Sequence, residues 1–293
     1  MKILVSDDVS MKGVDLLREN GYEVDVKKNL DEQGLIDCIG EYDGLITRLD
    51  HPRHGKGHRS GYEIEGHRPC RCRRRQHRLE ECDGTGHRRR QYADVQHPGR
   101  YGTYLRMIMA ITRHIPQAHN SLMAGNWDRK TFTGIQLQNK TIGIIGVGRI
   151  GSRIAKRMQA MEMKTIGYDP YIPEERFKQL GVEQVDLDTL LKRSDYITMH
   201  TPLTKETRGL IGKEEIAKMK DGVRVINVSR GAVLDIYALA EALKSGHVAG
   251  AAIDVFPTEP LTKDINPFLG MDNVVITPHL GASTVEAQIG VSV

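Results

Sequence analysis

Four cysteines in 293 residues (Cys38, Cys70, Cys72 and Cys82) make no convincing disulfide framework for a chain of this size. Cys70-Arg71-Cys72 has no second pair at zinc-site spacing, so no metal is assigned. Long apolar runs are missing too; the longest are strand-length, which argues against a membrane span. The opening Met-Lys-Ile-Leu-Val-Ser-Asp-Asp reads as a first strand rather than a secretory signal, so a cytoplasmic protein with no membrane partner is expected. Neither an internal repeat nor a low-complexity linker is present outside one basic tract. What remains, at 39% hydrophobic residues, is enough chain and enough apolar content for two domains with real cores.

The most informative stretch is Thr-Ile-Gly-Ile-Ile-Gly-Val-Gly-Arg-Ile-Gly at 141–151, where an apolar strand runs into a glycine turn that opens a helix. Gly146 suits the tight turn, Gly148 a close approach to a pyrophosphate, and Gly151 the packing of helix on strand. Phosphates would then meet free N–H groups at the positive end of that helix. The amphipathic Ser152–Met158 follows, and a second strand, Lys164–Tyr168, ends in Asp169. An acid there suits a ribose hydroxyl and opposes a 2′-phosphate, which favours NAD over NADP. A structural turn with a surface aspartate is the plainer alternative, and the full strand-turn-helix setting speaks against it.

Charge is uneven. Residues 51–104 hold 12 Arg and 1 Lys against 6 acids, a balance of +7, and the rest of the chain is left at −3. Seven of the 12 histidines lie there as well. Clustered arginine is the footprint of phosphate binding, so a nucleic-acid arm is one reading. The tract nevertheless interrupts a fold: strand-helix alternation runs up to Asp43-Gly-Leu-Ile-Thr47, and a helical pattern resumes at Met107–Thr112. Translation one base out of register explains it better. An Arg codon followed by C becomes Gly, Val, Ala or Asp; Glu65–Arg78 then permits Lys-Val-Ile-Gly-Arg-Ala-Gly-Val-Gly-Val-Asp-Asn-Ile-Asp. Gly86–Pro98 permits Gly-Ile-Val-Val-Val-Asn-Thr-Pro-Thr-Ser-Asn-Ile-Pro. Both look like a buried strand followed by a polar loop. As written, the tract lacks the apolar period of strands or helices and is expected to be poorly ordered, and no nucleic-acid partner is assigned.

Beyond the glycines the alternation continues, with strands expected at Tyr196–His200, Val223–Val228, Ala251–Val255 and Asn273–Thr277. Helices are expected at Leu187–Arg193, Lys213–Met219 and Ile236–Lys244. Such a chain builds a parallel sheet covered on both faces, with ligands beyond the carboxyl ends of its strands. His200, Thr201 and Pro202, Val228, Ser229 and Arg230, Asp254, and Pro278-His279 all fall at such ends. Hydride transfer to a ketone needs a proton donor, a group that tunes it and a cation for the carboxylate. His279 suits the first role, Glu259 the second by favouring imidazolium and orienting the ring, and Arg230 the third. Asp254 suits a nicotinamide carboxamide. Each residue alone has an ordinary reading as capped loop, turn or solvated face; their succession at strand ends of one dinucleotide fold is what singles them out.

These motifs together, with His-Thr-Pro-Leu-Thr, Asn-Val-Ser-Arg-Gly, Ala-Ile-Asp-Val-Phe-Pro-Thr-Glu-Pro and Thr-Pro-His-Leu-Gly-Ala-Ser-Thr, resemble the D-isomer-specific 2-hydroxyacid dehydrogenases. The resemblance is loose over residues 1–49 and close over 105–288. It implies an α/β fold: a doubly wound parallel-sheet (Rossmann) NAD-binding domain, residues 105–285, inserted in a smaller flavodoxin-like α/β substrate-binding domain. The latter would comprise residues 1–104 and a shortened return at 286–293. It further implies that Arg230 binds a small 2-hydroxy or 2-keto acid, that Glu259 pairs with His279, and that His279 is the acid/base. Arg149, Ile150, Asp169, Thr201, Val228 to Arg230, Asp254 and His279 to Gly281 and Ala282 would line NAD. A homodimer through the NAD-binding domain is also implied. The closing run points to oxidation of 3-phospho-D-glycerate to 3-phosphohydroxypyruvate in serine biosynthesis. Glyoxylate or hydroxypyruvate reduction and a non-catalytic NAD-binding remnant are the other readings. The family's substrate loop, Arg-Ala-Gly-Val-Gly-Val-Asp-Asn, is absent as written; Pro69–Gln76 stands in its place and the shifted reading restores it.

Overall fold

A computed structural model describes residues 1–6, 11–28, 30, 32–48, 62–66, 81–82, 88–91 and 97–287. The chain divides into two compact units, Met1–Gly99 with Ala282–Val293, and Arg100–Gly281.

In the first unit β1 (Lys2–Val5) pairs in parallel with β2 (Glu23–Val26) and β3 (Gly44–Arg48), and α1 (Met11–Glu19) and α2 (Glu32–Ile39) make the crossovers. Successive side chains of β1 point to opposite faces. Ile3 and Val5 therefore pack with Val14, Val24 and Ile46, and Leu4 packs with Tyr42, Leu45, Leu35 and Ile39. The sheet continues antiparallel through β4 (Tyr62–Gly66), β6 (Arg88–Gln91) and β5 (Glu81–Cys82), in the order β2-β1-β3-β4-β6-β5. Most of the basic tract 51–104 lies outside the described residues, and these three strands lie within it. A sheet edge offers unpaired N–H and C=O groups to any backbone, so pairing there needs no apolar alternation. The expected substrate loop at Pro69–Gln76 and the end of the chain from 288 lie outside the described residues.

The second unit opens in α3 (His97–Arg113) and α4 (Ile115–Met123). Its sheet comprises β7 (Thr141–Ile145), β8 (Lys164–Tyr168), β9 (Glu183–Gln184), β10 (Tyr196–Met199), β11 (Val223–Asn227), β12 (Val248–Ile253) and β13 (Val274–Ile276). All pair in parallel in the order β13-β12-β11-β10-β7-β8-β9. Strand order reverses between β7 and β10, so this doubly wound sheet opens a crevice beyond their carboxyl ends. The helices α5 (Arg149–Ala160), α6 (Glu174–Leu180), α7 (Leu187–Arg193), α8 (Lys213–Ala217) and α9 (Ile236–Ser245) flank it. One core joins the sheet to α7, α8 and α9 through Ile145, Ile197, Val225, Leu190 and Leu239; the other joins it to α3, α5 and α6 through Ile144, Tyr196, Ile108, Ile154 and Phe177. This is the α/β Rossmann domain that the alternation predicts, inserted between the two parts of the smaller flavodoxin-like α/β unit.

Element boundaries follow the sequence closely at β8 and α7. They differ at β12, which begins at Val248 rather than Ala251 and stops before Asp254. A register irregularity opposite Val223 and Arg224 lets the buried Val248 join the ladder early. Among the described residues no helix is long and apolar enough to cross a membrane. Helix α4 contributes no buried residue, and Ile115, Leu122, Met123 and, just beyond it, Trp127 are exposed.

Helix α9 shows how local and tertiary signals agree. Asp235 caps its start by accepting from the Tyr237 and Ala238 N–H groups at 2.9 and 3.1 Å, and Gly246 ends it at φ +82°. Leu239 is fully buried beneath it. Replacing Leu239 by Ala is expected to cost roughly 2–5 kcal/mol, because the cavity adds to the lost transfer energy. Asp235→Ala is expected to cost about 1 kcal/mol. Urea denaturation followed by circular dichroism measures both, and equal losses would contradict this division of labour.

Candidate active site at the carboxyl edge of the parallel sheet

The glycine turn sits between β7 and α5, at the reversal of strand order. Gly146 adopts φ +89°, and a side chain there would come within 2.9 Å of the His200 carbonyl carbon. A side chain on Gly151 would collide with the Gly146 carbonyl, so this glycine lets α5 lie on the turn. Around Gly148 a side chain would meet nothing within 4 Å, which leaves open space in front of the helix N-terminus. Arg149 is exposed as the first residue of that helix, and Ile150 packs against the α3 side of the core. At the end of β8, Asp169 accepts from the Val147 N–H at 2.9 Å and the Tyr171 N–H at 3.0 Å. Its carboxylate is thereby turned toward the glycine loop.

After β10, the N–H of His200 donates to Ile145 at 2.7 Å, which ties this loop to the end of β7. The imidazole Nε2 lies 2.9 Å from the Thr198 hydroxyl, and the ring meets Tyr104 edge-on at 5.7 Å. Burial pushes the His200 pKa down to about 3, so the ring stays neutral. The Thr201 hydroxyl is buried without a hydrogen-bond partner, and the Pro202 carbonyl accepts from Thr207 at 2.6 Å.

After β11, the buried Asn227 holds the next loop. Its Oδ1 accepts from the Ser229 N–H at 3.1 Å and hydroxyl at 3.0 Å, while its Nδ2 donates to the Arg230 carbonyl at 3.0 Å. Val228 is buried, and Arg230 is half-buried with its guanidinium donating to the Ser229 carbonyl at 2.7 Å. The next residue, Gly231, lies so close to Phe256 that any side chain would strike the Phe256 backbone. This contact sets the Arg230 loop against the loop that follows β12.

That second loop carries Glu259. One carboxylate oxygen accepts from the Phe256 N–H at 2.9 Å, and the other lies 2.8 Å from His279 Nδ1. A carboxylate only accepts, so the ring proton sits on Nδ1 and Nε2 is left for a reacting group. The pair is partly exposed, hence within reach of a ligand. His279 has φ +53°, a left-handed conformation that costs a non-glycine residue on the order of 1–2 kcal/mol. Neighbouring groups hold it there: the His279 N–H donates to Thr277 at 2.9 Å, and the Leu280 N–H donates to Asp254 Oδ1 at 2.8 Å. The Thr277 hydroxyl also donates to Asp254 Oδ1. Asp254 is fully buried, and its Oδ2 has no hydrogen-bond partner. A buried carboxylate oxygen of this kind calls for a donor from a ligand. Gly281 closes the unit and Ala282 begins the return.

The sequence-predicted residues thus gather at successive strand ends, with Glu259 and His279 in direct contact. The ordering roles of Asn227 and Thr277 escaped the sequence reading. A polar Asn at the end of an apolar strand was a legible signal; Thr277 announces itself only through its contacts.

The profile of the D-isomer specific 2-hydroxyacid dehydrogenase NAD binding domain matches residues 105–281. The chain belongs to this family. It is 42% identical over 296 residues to a D-3-phosphoglycerate dehydrogenase of Archaeoglobus fulgidus, covering 99% of the chain and 55% of that protein. A hydroxypyruvate reductase of Thermotoga maritima is 51% identical over 183 residues, 62% of the chain and 59% of the reductase. Among solved structures, the TT0316 protein of Thermus thermophilus superposes with a TM-score of 0.80 at 27% identity, covering 100% of this chain and 93% of the other. The chain spans about half the length of the first two curated relatives it matches, 55% and 52%. Its cofactor is NAD, as the matched domain indicates, and the open space at Gly148 with the unpartnered Asp254 and Thr201 oxygens fits such a group.

The neutral His200 has a consequence for folding. Below its ordinary value of 6.5 the unfolded chain binds a proton there that the native state refuses until about pH 3. Its contribution is therefore complete above pH 6.5 and is lost as pH falls from 6.5 toward 3. Urea midpoints at several pH values should decline across this window, and His200→Asn should decline less. A His200 ring that titrates near neutrality by NMR would contradict this.

Proposed function

We propose that the protein is an NAD-dependent oxidoreductase that oxidises 3-phospho-D-glycerate to 3-phosphohydroxypyruvate, with Arg230, Glu259 and His279 as its catalytic residues. The observation that carries this reading is the 2.8 Å His279–Glu259 pair set beside the buried Asp254 carboxylate. NAD bound here would supply the acceptor for the hydride that leaves C2 of the hydroxy acid. His279 Nε2 takes the hydroxyl proton as the C2–H bond breaks, and Glu259 keeps the ring aligned from its other side. Arg230 offers a planar fork to the substrate carboxylate. Asp254 Oδ2, buried without a partner, would hold the nicotinamide carboxamide. The turn at Gly146, Gly148, Arg149, Ile150 and Gly151 would hold the pyrophosphate. Asp169 would hold the adenosine ribose, and His200, Thr201, Pro202, Val228, Ser229, Gly281 and Ala282 would complete the lining.

The substrate-binding lobe is the first unit, and a homodimer forms through the NAD-binding domain. Support for the dimer comes from α4, whose Ile115, Leu122 and Met123 lie exposed. A cytoplasmic location accords with this activity. The likeness to the T. maritima hydroxypyruvate reductase favours a second reading, reduction of hydroxypyruvate or glyoxylate by the same residues.

Cofactor choice tests the Asp169 assignment. Fluorescence titration should give tighter binding of NADH than NADPH, and Asp169→Ala should narrow the gap, because the carboxylate opposes the extra phosphate. Equal affinities in the unaltered protein would remove the assignment.

The activity test compares the chain as written with one in which 65–78 and 86–98 carry the out-of-register reading. Orienting reactants accounts for roughly 7–11 kcal/mol of a barrier, so the restored chain should be the active one. In it, His279→Ala should abolish NADH formation from 3-phosphoglycerate while leaving NADH binding nearly intact. Equal rates from the two chains would refute the register account. Retained turnover in His279→Ala would refute the acid/base role, and faster turnover of hydroxypyruvate than of the phosphorylated substrate would favour the second reading.

A further inference from the structure

The His279 turn is held from a direction that none of the strand-end residues supplies. Thr103, buried in the first part of α3, donates its hydroxyl toward the Gly281 carbonyl at 3.1 Å and the Leu280 carbonyl at 3.4 Å. The Leu280 N–H donates to Asp254 Oδ1 at 2.8 Å. The peptide groups on both sides of Leu280 are thus gripped between a helix and a strand end. His279, one residue before, is tied to Thr277 by its own N–H. Because φ +53° is unfavourable for a histidine, the turn persists only where its surroundings fix it.

We infer that Thr103 is a positioning residue: its hydroxyl clamps the Gly281 and Leu280 carbonyls and so holds the His279 imidazole on Glu259. Removing that donor takes the hydroxyl from the buried Gly281 carbonyl and the partly buried Leu280 carbonyl, and one wall of the clamp is gone. The turn then relaxes from the left-handed conformation, and the ring samples orientations in which Nε2 no longer points at a reacting hydroxyl. The inference rests on the acid/base role of His279 for its consequence in catalysis, but not for its consequence in geometry.

The test uses Thr103→Val, which keeps the shape and removes the hydroxyl, with Thr103→Ser as the rescue. In the 15N-labelled protein the His279 Nδ1 proton shared with Glu259 should give a sharp low-field signal. It should be lost in Thr103→Val and return in Thr103→Ser, with both variants still folded by far-UV circular dichroism. An unchanged His279 signal in Thr103→Val would overturn the inference, as would failure of Thr103→Ser to restore that signal. Should the restored chain oxidise no 2-hydroxy acid, the functional reading fails, and the NMR signal still decides the role of Thr103.

Discussion

Asp254 is the constraint around which the catalytic edge is assembled. A fully buried carboxylate must be satisfied locally, and one of its oxygens draws the Thr277 hydroxyl and the Leu280 N–H to the same point. These donors come from the end of β13, so the carboxylate after β12 fixes where the following strand turns. His279 lies between Thr277 and Leu280 and takes its backbone conformation from that closure. The second oxygen, left without a partner, is the part of the arrangement directed at a ligand.

The remaining loops are positioned by similar close approaches. Gly231 lets the Arg230 loop touch the Phe256 backbone, whose N–H holds Glu259, whose other oxygen holds His279. At the opposite side of the crevice Gly146 lets the turn after β7 touch the His200 carbonyl. Side chains there would push apart the strand ends on which the candidate groups stand. The site is rigid because it is built on neighbouring ends of one sheet with a core on each face. This placement makes stability and function share residues: Asn227, buried at the end of β11, also orders the Arg230 loop.

The sheet itself was legible in the sequence, because parallel strands buried on both faces must be short apolar runs separated by amphipathic helices. Lys164–Tyr168 and Leu187–Arg193 coincide with β8 and α7 for that reason. The start of β12 was less legible: Val248, Ala249 and Gly250 join the ladder through an irregular register that no local pattern announces. In the basic tract the described strands β4, β5 and β6 join the sheet by antiparallel backbone pairing.

By itself the sequence determined the α/β class, the glycine turn with its acid at Asp169, and the set of polar residues at strand ends. These depend on periodicity and on residue types within a few positions of one another. Only the tertiary structure decided that Glu259 meets His279, that one oxygen of Asp254 is left open, and that Thr103 reaches a loop 177 residues away. Such contacts join distant parts of the chain, and their geometry is set by how helices and strand ends pack, which a linear pattern does not encode.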